Sequence, residues 1–335
     1  MKRALVFSIV FVVLAGFALV GAFWHWLDAP VRTPDTPVEI RIKPGMGPGG
    51  IVEVLAQHGV FLRDDLFVLA SRLLSLDARL KAGVYAIPPH STPRQLLTIF
   101  SSGKSLQTSV RLIEGQTFAQ WRAQLAARDD LGHDLLGVPD QALVKRLGIE
   151  VTSPEGLFFP DTYLVEKYAD ESEVLRLARR QLRQHLDRLW RNRDSALPYR
   201  TPYEALIMAS IIEKETGRNA DRAMIAAVFV NRLRLGMRLQ TDPTVIYGLG
   251  DAYTGNLQKR HLTTDTPWNT YTRPGLPPTP IAMPGLASLE AAFHPAKTKA
   301  LYFVGTGDGG SQFSESLAEH NRAVQRYQRG GRAGR

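Results

Sequence analysis

The stretch Ala205-Leu-Ile-Met-Ala-Ser-Ile-Ile-Glu-Lys-Glu-Thr216 decides how the rest of the chain is interpreted. Eight residues with almost no polarity run directly into two carboxylates, Glu213 and Glu215. A helix that is apolar on all sides is buried in a core. Carboxylates at its end would lie in a partly desolvated place, where a carboxyl pKa rises and the group can donate a proton near neutral pH. The alternative is a core helix whose charged end reaches solvent, and this stretch alone does not decide between them.

Composition excludes several classes of protein. The chain has 335 residues, 44% hydrophobic and 22% charged, which is ordinary for a globular protein of two domains with an appendage. The net charge of +9 favours a polyanionic neighbour. The basic residues form no zinc-finger, RNP or helix-turn-helix signature, so we expect no nucleic-acid partner. Because the chain has no cysteine, disulfides and thiol catalysis are impossible.

The N-terminus predicts a membrane anchor. An uncharged, mostly apolar run from Ala4 to Trp24 would form roughly 31 Å of helix, enough to cross a bilayer. Trp24 and Trp26 follow where an interfacial aromatic belt would lie, and Lys2 and Arg3 favour a cytoplasmic N-terminus, residues 1–3. We therefore predict a transmembrane anchor over residues 4–26 of a cell (inner) membrane, with the remainder on the periplasmic side. A cleaved signal peptide is the alternative, although its apolar region is usually shorter.

A compact module is predicted over residues 37–106, after a linker at residues 27–36. Val38-Glu-Ile-Arg-Ile42 alternates like a strand, two segments with helical spacing follow, and Lys81 to Ile87 indicates a returning strand. The order strand, helix, helix, strand resembles a LysM-type glycan-binding module. A spacer that only positions the next domain is the alternative.

The larger domain is predicted over residues 107–328, followed by a disordered tail at residues 329–335. Helices are expected over residues 171–190, over the quoted stretch and over residues 220–235. After Gly236 the chain is dense in Gly and Pro through residue 286, and we expect a loop-rich region there. Loops of that length inside a folded domain are uncommon unless they are functional. The fold class is therefore α+β, with a small module beside a larger mixed catalytic domain.

Four polar clusters in this domain mix carboxylates, amides, hydroxyls and aromatic rings, the groups that sugar sites need. They comprise residues 154–163, 213–216, 231–247 and 268–278. Other chemistries lack their motifs: the eight histidines show no HExxH or paired-ligand spacing, and no GxSxG elbow or Walker A loop occurs. No metal and no cofactor are expected.

The stretches EGLFFPDTY, ASIIEKETG, VNRLRLGMRLQTDPTVIYG, NTYTRPGLPP and HPAKT resemble the membrane-anchored endolytic murein (peptidoglycan) transglycosylases of the MltG/YceG-like family. The resemblance covers nearly the whole chain. Two positions depart from the family pattern: Thr279 stands where Gly is usual, and Ser311 where His is usual. These departures put the roles of their two loops in question.

The resemblance also bears on the choice between the two glutamates. Residues two apart in a helix point about 200° away from each other, so only one can face a cleft. The helix is similar to that of the lysozyme-like soluble transglycosylases, whose acid is a Glu followed directly by Ser or Thr. Glu215-Thr216 fits that pattern, so Glu215 is the predicted catalytic acid. The clusters supply the candidate substrate-binding or supporting residues: Glu213, Glu155, Asp161, Tyr163, Asn231, Gln240, Thr241, Asp242, Tyr247, Asn269 and Tyr271.

The implied reaction is lytic cleavage of the MurNAc–GlcNAc bond, with formation of 1,6-anhydro-MurNAc ends and termination of nascent strands. The implied partners are peptidoglycan glycan strands, the membrane and penicillin-binding proteins. Two alternatives stay open. Lysozyme-like hydrolysis would need a partner carboxylate, for which Glu155, Asp161 and Asp242 are available. The chain could also be a glycan-binding scaffold without catalysis.

Overall fold

A computed structural model describes residues 2–329 of the chain. They fold into two compact units. The first contains the chain up to Thr108 together with Leu164–Tyr168, and the second contains Ser109–Tyr163 and the chain from Ala169 onward. Helices and short two-stranded sheets occur together, which confirms the α+β class.

The first helix, α1 (Lys2–Asp28), is the one helix in the described chain that is long and apolar enough to cross a membrane, over Leu5–Asp28. Its apolar side chains are exposed along most of its length, whereas Leu27 near its end is fully buried. The predicted apolar N-terminal helix is confirmed. Length and composition are consistent with a single membrane span.

The first unit contains β1 (Val38–Ile42), α2 (Pro48–Gln57), α3 (Asp64–Leu73), β2 (Gly83–Ile87) and α4 (Pro93–Ser102). The strands pair antiparallel, with Ile40 opposite Tyr85. Alternation along β1 buries Ile40 and Ile42 on one face, against apolar residues of α2, α3 and α4. The predicted order of strand, helix, helix and strand is therefore confirmed.

The second unit is mostly helical. Its elements are α5 (Phe118–Ala126), α6 (Asp140–Arg146), α7 (Glu171–Arg191), α8 (Pro202–Glu215), α9 (Asn219–Arg234), α10 (Asp242–Leu249), α11 (Lys259–Thr263), α12 (Leu286–Phe293), β5 (Tyr302–Gly305), β6 (Ser311–Ser314) and α13 (Leu317–Val324). The residues of β3 (Gln107–Arg111) and β4 (Thr162–Glu166) are divided between the two units. α8 lies at the centre of the core and packs against α7, α9, α10 and α12.

The loop-rich prediction for residues 236–286 was wrong in part, because α10 and α11 lie within it. Both helices are short, and Gly248 and Pro243 in α10 hide the helical pattern at the sequence level. β6 was also missed, since Ser311-Gln-Phe-Ser314 has little strand character; its pairing with β5 supplies the strand. The tail predicted at residues 329–335 lies, from residue 330 onward, outside the described residues.

Candidate active site

α8 delivers its C-terminal carboxylates from inside the core. Thr201 caps its N-terminus by accepting a hydrogen bond from the backbone N–H of Glu204, with Pro202 in the first turn. Every residue from Ala205 to Ile212 is buried. The helix ends at Glu215, so the two acidic residues occupy the turn where it leaves the core.

Glu213 and Glu215 point to different partners, as expected for residues two apart in a helix. Glu213 Oε2 accepts hydrogen bonds from the backbone N–H of Gly285 at 3.0 Å and from Ser288 Oγ at 2.7 Å. Both donors lie at the N-terminus of α12, where unpaired N–H groups and the helix dipole favour an anion. Glu213 therefore fastens α8 to α12.

Glu215 lines a cavity of about 470 Å³, and the side chain is half-buried. We call this the Glu215 cavity. Burial raises the pKa of Glu215 to about 7, although a hydrogen bond donated by Thr241 Oγ1 opposes the rise; nearby Asp242 raises the pKa further and Arg232 lowers it. A carboxyl with such a pKa is partly protonated at neutral pH, as a general acid requires.

Thr241 is held in place by a small cluster of buried hydroxyl groups. Its backbone N–H donates to Thr270 Oγ1 at 3.1 Å, and its carbonyl accepts from Thr244 Oγ1 at 2.7 Å. The Thr244 and Thr270 hydroxyls lie 2.9 Å apart. All three threonines are at most 3% exposed. The donor that contacts Glu215 is therefore fixed before any ligand binds.

Three further predicted residues line the Glu215 cavity: Gln240, Asp242 and Tyr271. Gln240 is exposed and has a φ of 51°, in the left-handed region that costs a non-glycine residue of order 1 kcal/mol. Tyr271 Oη donates to Asp242 Oδ1 at 2.6 Å. Burial, together with that bond, raises the pKa of Tyr271, which keeps its hydroxyl protonated.

Other predicted residues hold the backbone around the site. Asn269 is fully buried, and its amide nitrogen donates to the carbonyls of His261, Leu262 and Thr264. The amide of Asn231 donates to the carbonyls of Thr298 and Ala300. Asn269 holds the C-terminal end of α11, Asn231 holds the segment before β5, and neither lines the Glu215 cavity.

Asp161 and Tyr163 lie apart from the Glu215 cavity as well. Asp161 Oδ2 accepts from Gln181 Nε2 on α7 at 2.8 Å. Tyr163 is buried, and its hydroxyl donates to the carbonyl of Phe159 at 2.7 Å. Both side chains therefore organise the segment that joins Glu155 to α7.

Glu155 and Tyr247 belong to a second cavity of about 770 Å³, which we call the Glu155 cavity. Glu155 is 4% exposed and accepts from the backbone N–H of Phe118, at 3.1 and 3.2 Å to its two oxygens. Tyr247 Oη donates to Oε2 at 3.3 Å. Burial raises the pKa of Glu155 to about 7, against the lowering effect of these hydrogen bonds.

Sequence reasoning missed Arg232 and His320, which also line the Glu215 cavity. Arg232 is 9% exposed and donates to the carbonyls of Leu239 and Leu301, both at 2.7 Å. A signal was available, because Arg232 follows Ile225 and Phe229 on the apolar side of α9. His320 stacks on Tyr302 with ring centroids 5.3 Å apart, and burial lowers its pKa. Nothing in the polar sequence of α13 marks His320.

Thr279 and Ser311, the two departures from the family pattern, are accommodated by hydrogen bonds and by strand pairing. Thr279 Oγ1 accepts a hydrogen bond from Trp268 Nε1 at 2.9 Å and donates one to the carbonyl of Pro280. Ser311 opens β6 opposite Gly305 and does not line the Glu215 cavity. Across residues 2–329, no group of three or more His, Cys, Asp or Glu residues could hold a metal ion.

Fold and site together define an α+β protein with an apolar N-terminal helix and a buried helix that presents a glutamate of raised pKa to a polar cavity. The YceG-like family model matches residues 40–326, so the chain belongs to the YceG-like family.

Curated relatives agree with that membership. An endolytic murein transglycosylase of Bacillus subtilis (strain 168) is 30% identical, over 92% of this chain and 90% of the relative. One of Streptococcus pneumoniae serotype 2 is 28% identical over 70% of this chain, which corresponds to 41% of the longer relative. The crystal structure of a YceG-like protein from Listeria monocytogenes matches with a TM-score of 0.54 and 30% identity, over 86% of this chain and 99% of that one.

Proposed function

We propose that the chain is a membrane-anchored endolytic lytic transglycosylase of peptidoglycan, with Glu215 as its acid and base. The observation that carries the proposal is the position of Glu215 at the end of buried α8, in a cavity where burial raises its pKa to about 7. The names of the curated relatives supply the substrate class.

In the proposed reaction, protonated Glu215 gives its proton to the oxygen between MurNAc and GlcNAc, and the C1–O bond breaks. The muramic C6 hydroxyl then attacks C1 and passes its proton to the Glu215 carboxylate, which restores the acid. The product is a 1,6-anhydro ring, and no water is consumed. Between the two steps Glu215 is an anion, and the Thr241 hydroxyl and the Arg232 charge favour that form.

Gln240, Asp242 and Tyr271 are the proposed substrate contacts because they line the same cavity as Glu215. The strained backbone of Gln240 supports this role, since such conformations cluster at functional sites. Glu213, Asn231, Asn269, Asp161 and Tyr163 act as supporting residues, which hold α8 and the loops around the cavity.

Hydrolysis of the same bond is the second candidate, because one carboxylate is available as a partner. Of the candidate partners Glu155, Asp161 and Asp242, only Asp242 lines the Glu215 cavity. Its carboxylate accepts a hydrogen bond from Tyr271, which leaves it less free to activate water. Lytic cleavage needs no second carboxylate, and we therefore prefer it.

The deciding experiment incubates the purified full chain with long uncrosslinked glycan strands and analyses the fragments by mass spectrometry. We expect internal cleavage with anhydro-MurNAc ends. Reducing ends without anhydro sugars would refute lytic cleavage in favour of hydrolysis. Glu215→Gln should bind strands but not cut them; an unaltered rate in that variant would refute the role of Glu215, and a non-cleaving wild-type protein would favour the scaffold alternative.

The finer features of the first unit are also proposals. We propose that α1 anchors the chain in the cell membrane, with the second unit on the periplasmic side. The β1–α2–α3–β2 arrangement supports a LysM-like glycan-binding role, and the buried acid-bearing α8 supports the lysozyme-like comparison. Penicillin-binding proteins are proposed partners, which co-purification from cross-linked membranes would test: their absence from the captured material would contradict the proposal.

A further inference from the structure

The Glu155 cavity has the composition of a sugar-binding site. It is lined by the aromatic residues Phe118, Tyr247, Tyr253 and Trp268, with Glu155 in its wall. Its volume of about 770 Å³ lies within the roughly 300–1,000 Å³ of pockets that enclose a ligand of drug size. The rings of Tyr247 and Trp268 meet edge to face, with centroids 5.7 Å apart.

Its charges disfavour an anionic ligand. Asp140, Glu155 and Asp251 line the cavity, and Lys214 is the single Lys or Arg among its lining residues. Sugar rings, which carry many hydroxyl and N-acetyl groups and no charge of their own, suit these surroundings. Because burial raises the pKa of Glu155 to about 7, its carboxyl is partly protonated at neutral pH and can donate as well as accept a hydrogen bond.

At two places in the chain, one residue lines one cavity and the next residue lines the other. Glu215 lines one cavity and its neighbour Lys214 lines the other. Asp242 and its neighbour Pro243 are divided in the same way, at the start of α10. Lys214 and Asp242 are both exposed, so the two cavities meet solvent at neighbouring points of the chain.

We propose that the Glu155 cavity binds the part of the glycan strand that extends beyond the bond held at Glu215, and so makes the enzyme prefer long strands. This inference rests on the proposed function, because it assigns a second part of the same substrate. Tyr253 is the most useful residue to change. It is partly exposed, lies in the loop after α10, and lines the Glu155 cavity but not the Glu215 cavity.

The test compares kcat/KM on a tetrasaccharide and on long uncrosslinked strands, for the full-length wild-type protein and Tyr253→Ala. We expect about a tenfold loss on long strands, the size of one lost aromatic contact, and little change on the tetrasaccharide. Tyr253→Phe keeps the ring and should keep the rate. Tyr327→Ala removes an equally half-exposed tyrosine that lines neither cavity and should change neither substrate.

Unchanged kcat/KM of Tyr253→Ala on long strands would overturn the inference, and so would an equal loss on both substrates. A second measurement separates this inference from the proposed function. Binding of long strands is measured to Glu215→Gln and to Glu215→Gln with Tyr253→Ala, where nothing is cleaved. About tenfold weaker binding in the double variant supports the inference even if the wild-type protein proves not to cleave, and equal binding refutes it.

Discussion

Replacing Thr241 with valine removes the hydroxyl that donates to Glu215 and keeps the shape of the side chain. A hydrogen bond to a charged group contributes about 1.5–3 kcal/mol. Because one pKa unit corresponds to about 1.4 kcal/mol, loss of this bond should raise the pKa of Glu215 by about 1–2 units. The sign follows from the donor, which stabilises the carboxylate and therefore holds the pKa below the value that burial alone would give.

The assay is the pH dependence of kcat/KM on long glycan strands, which reports the pKa of essential groups in the free enzyme. Glu215 must be protonated to act as the acid, so the wild-type rate should fall as pH rises through about 7. We call this fall the alkaline limb of the profile. In Thr241→Val its midpoint should move to a pH about 1–2 units higher. The absolute rate should also fall, because the carboxylate formed during the reaction loses a donor.

Thr244→Val is the matched control, since Thr244 is equally buried in the same cluster but does not donate to Glu215. It should lower the free energy of unfolding without moving the alkaline limb. A limb that stays in place in Thr241→Val, or that moves downward, would refute the reasoning that this hydroxyl sets the pKa of Glu215.

Three further predictions address the surroundings of Glu215. Glu213→Gln should lower the free energy of unfolding by about 1 kcal/mol in chemical denaturation, because an anion is lost from the start of α12, while the alkaline limb stays in place; a shifted limb would assign Glu213 to the chemistry. Gln240→Gly should raise the free energy of unfolding by about 1 kcal/mol, because glycine adopts the left-handed backbone without strain, and should lower kcat/KM. A higher free energy of unfolding with unchanged kcat/KM would show that Gln240 does not contact the substrate. The raised pKa of Glu155 should contribute about 3 kcal/mol to a loss of stability as pH rises from 4.5 to about 7, because the unfolded chain releases that proton first. Glu155→Gln should remove this share of the slope in denaturation series across pH and leave the share of Glu215; an unaltered slope would contradict the assignment.

The central helix could be predicted because its evidence is local. The apolar run from Ala205 to Ile212 determines burial, and helical geometry alone separates Glu213 from Glu215. The structure agrees at both points: Glu213 accepts hydrogen bonds from the start of α12, whereas Glu215 lines its cavity. In the first unit, the alternation along β1 was an equally local signal.

The hydrogen-bond partners of Glu155 and Glu215, the two carboxyls with raised pKa values, could not be predicted, because each contact joins distant parts of the chain. Thr241 reaches Glu215 only because α10 packs against α8, and no local pattern predicts that packing. Glu155 meets the start of α5, 37 residues earlier in the chain. Sequence spacing carries no information about such pairings, whereas the kinds of side chain that they need were visible in the polar clusters.

Glu155, Glu213 and Glu215 differ in what they do for folding. Glu213 receives two hydrogen bonds at a helix start and joins two core helices, so stability accounts for its presence. Glu155 and Glu215 both have pKa values raised to about 7 by burial, which means that keeping them ionised at neutral pH works against folding. Groups that cost stability are characteristic of functional sites. α10 contacts Glu215 through Thr241 at its N-terminus and Glu155 through Tyr247 near its C-terminus, so one short helix donates a hydrogen bond to each carboxyl whose pKa is raised.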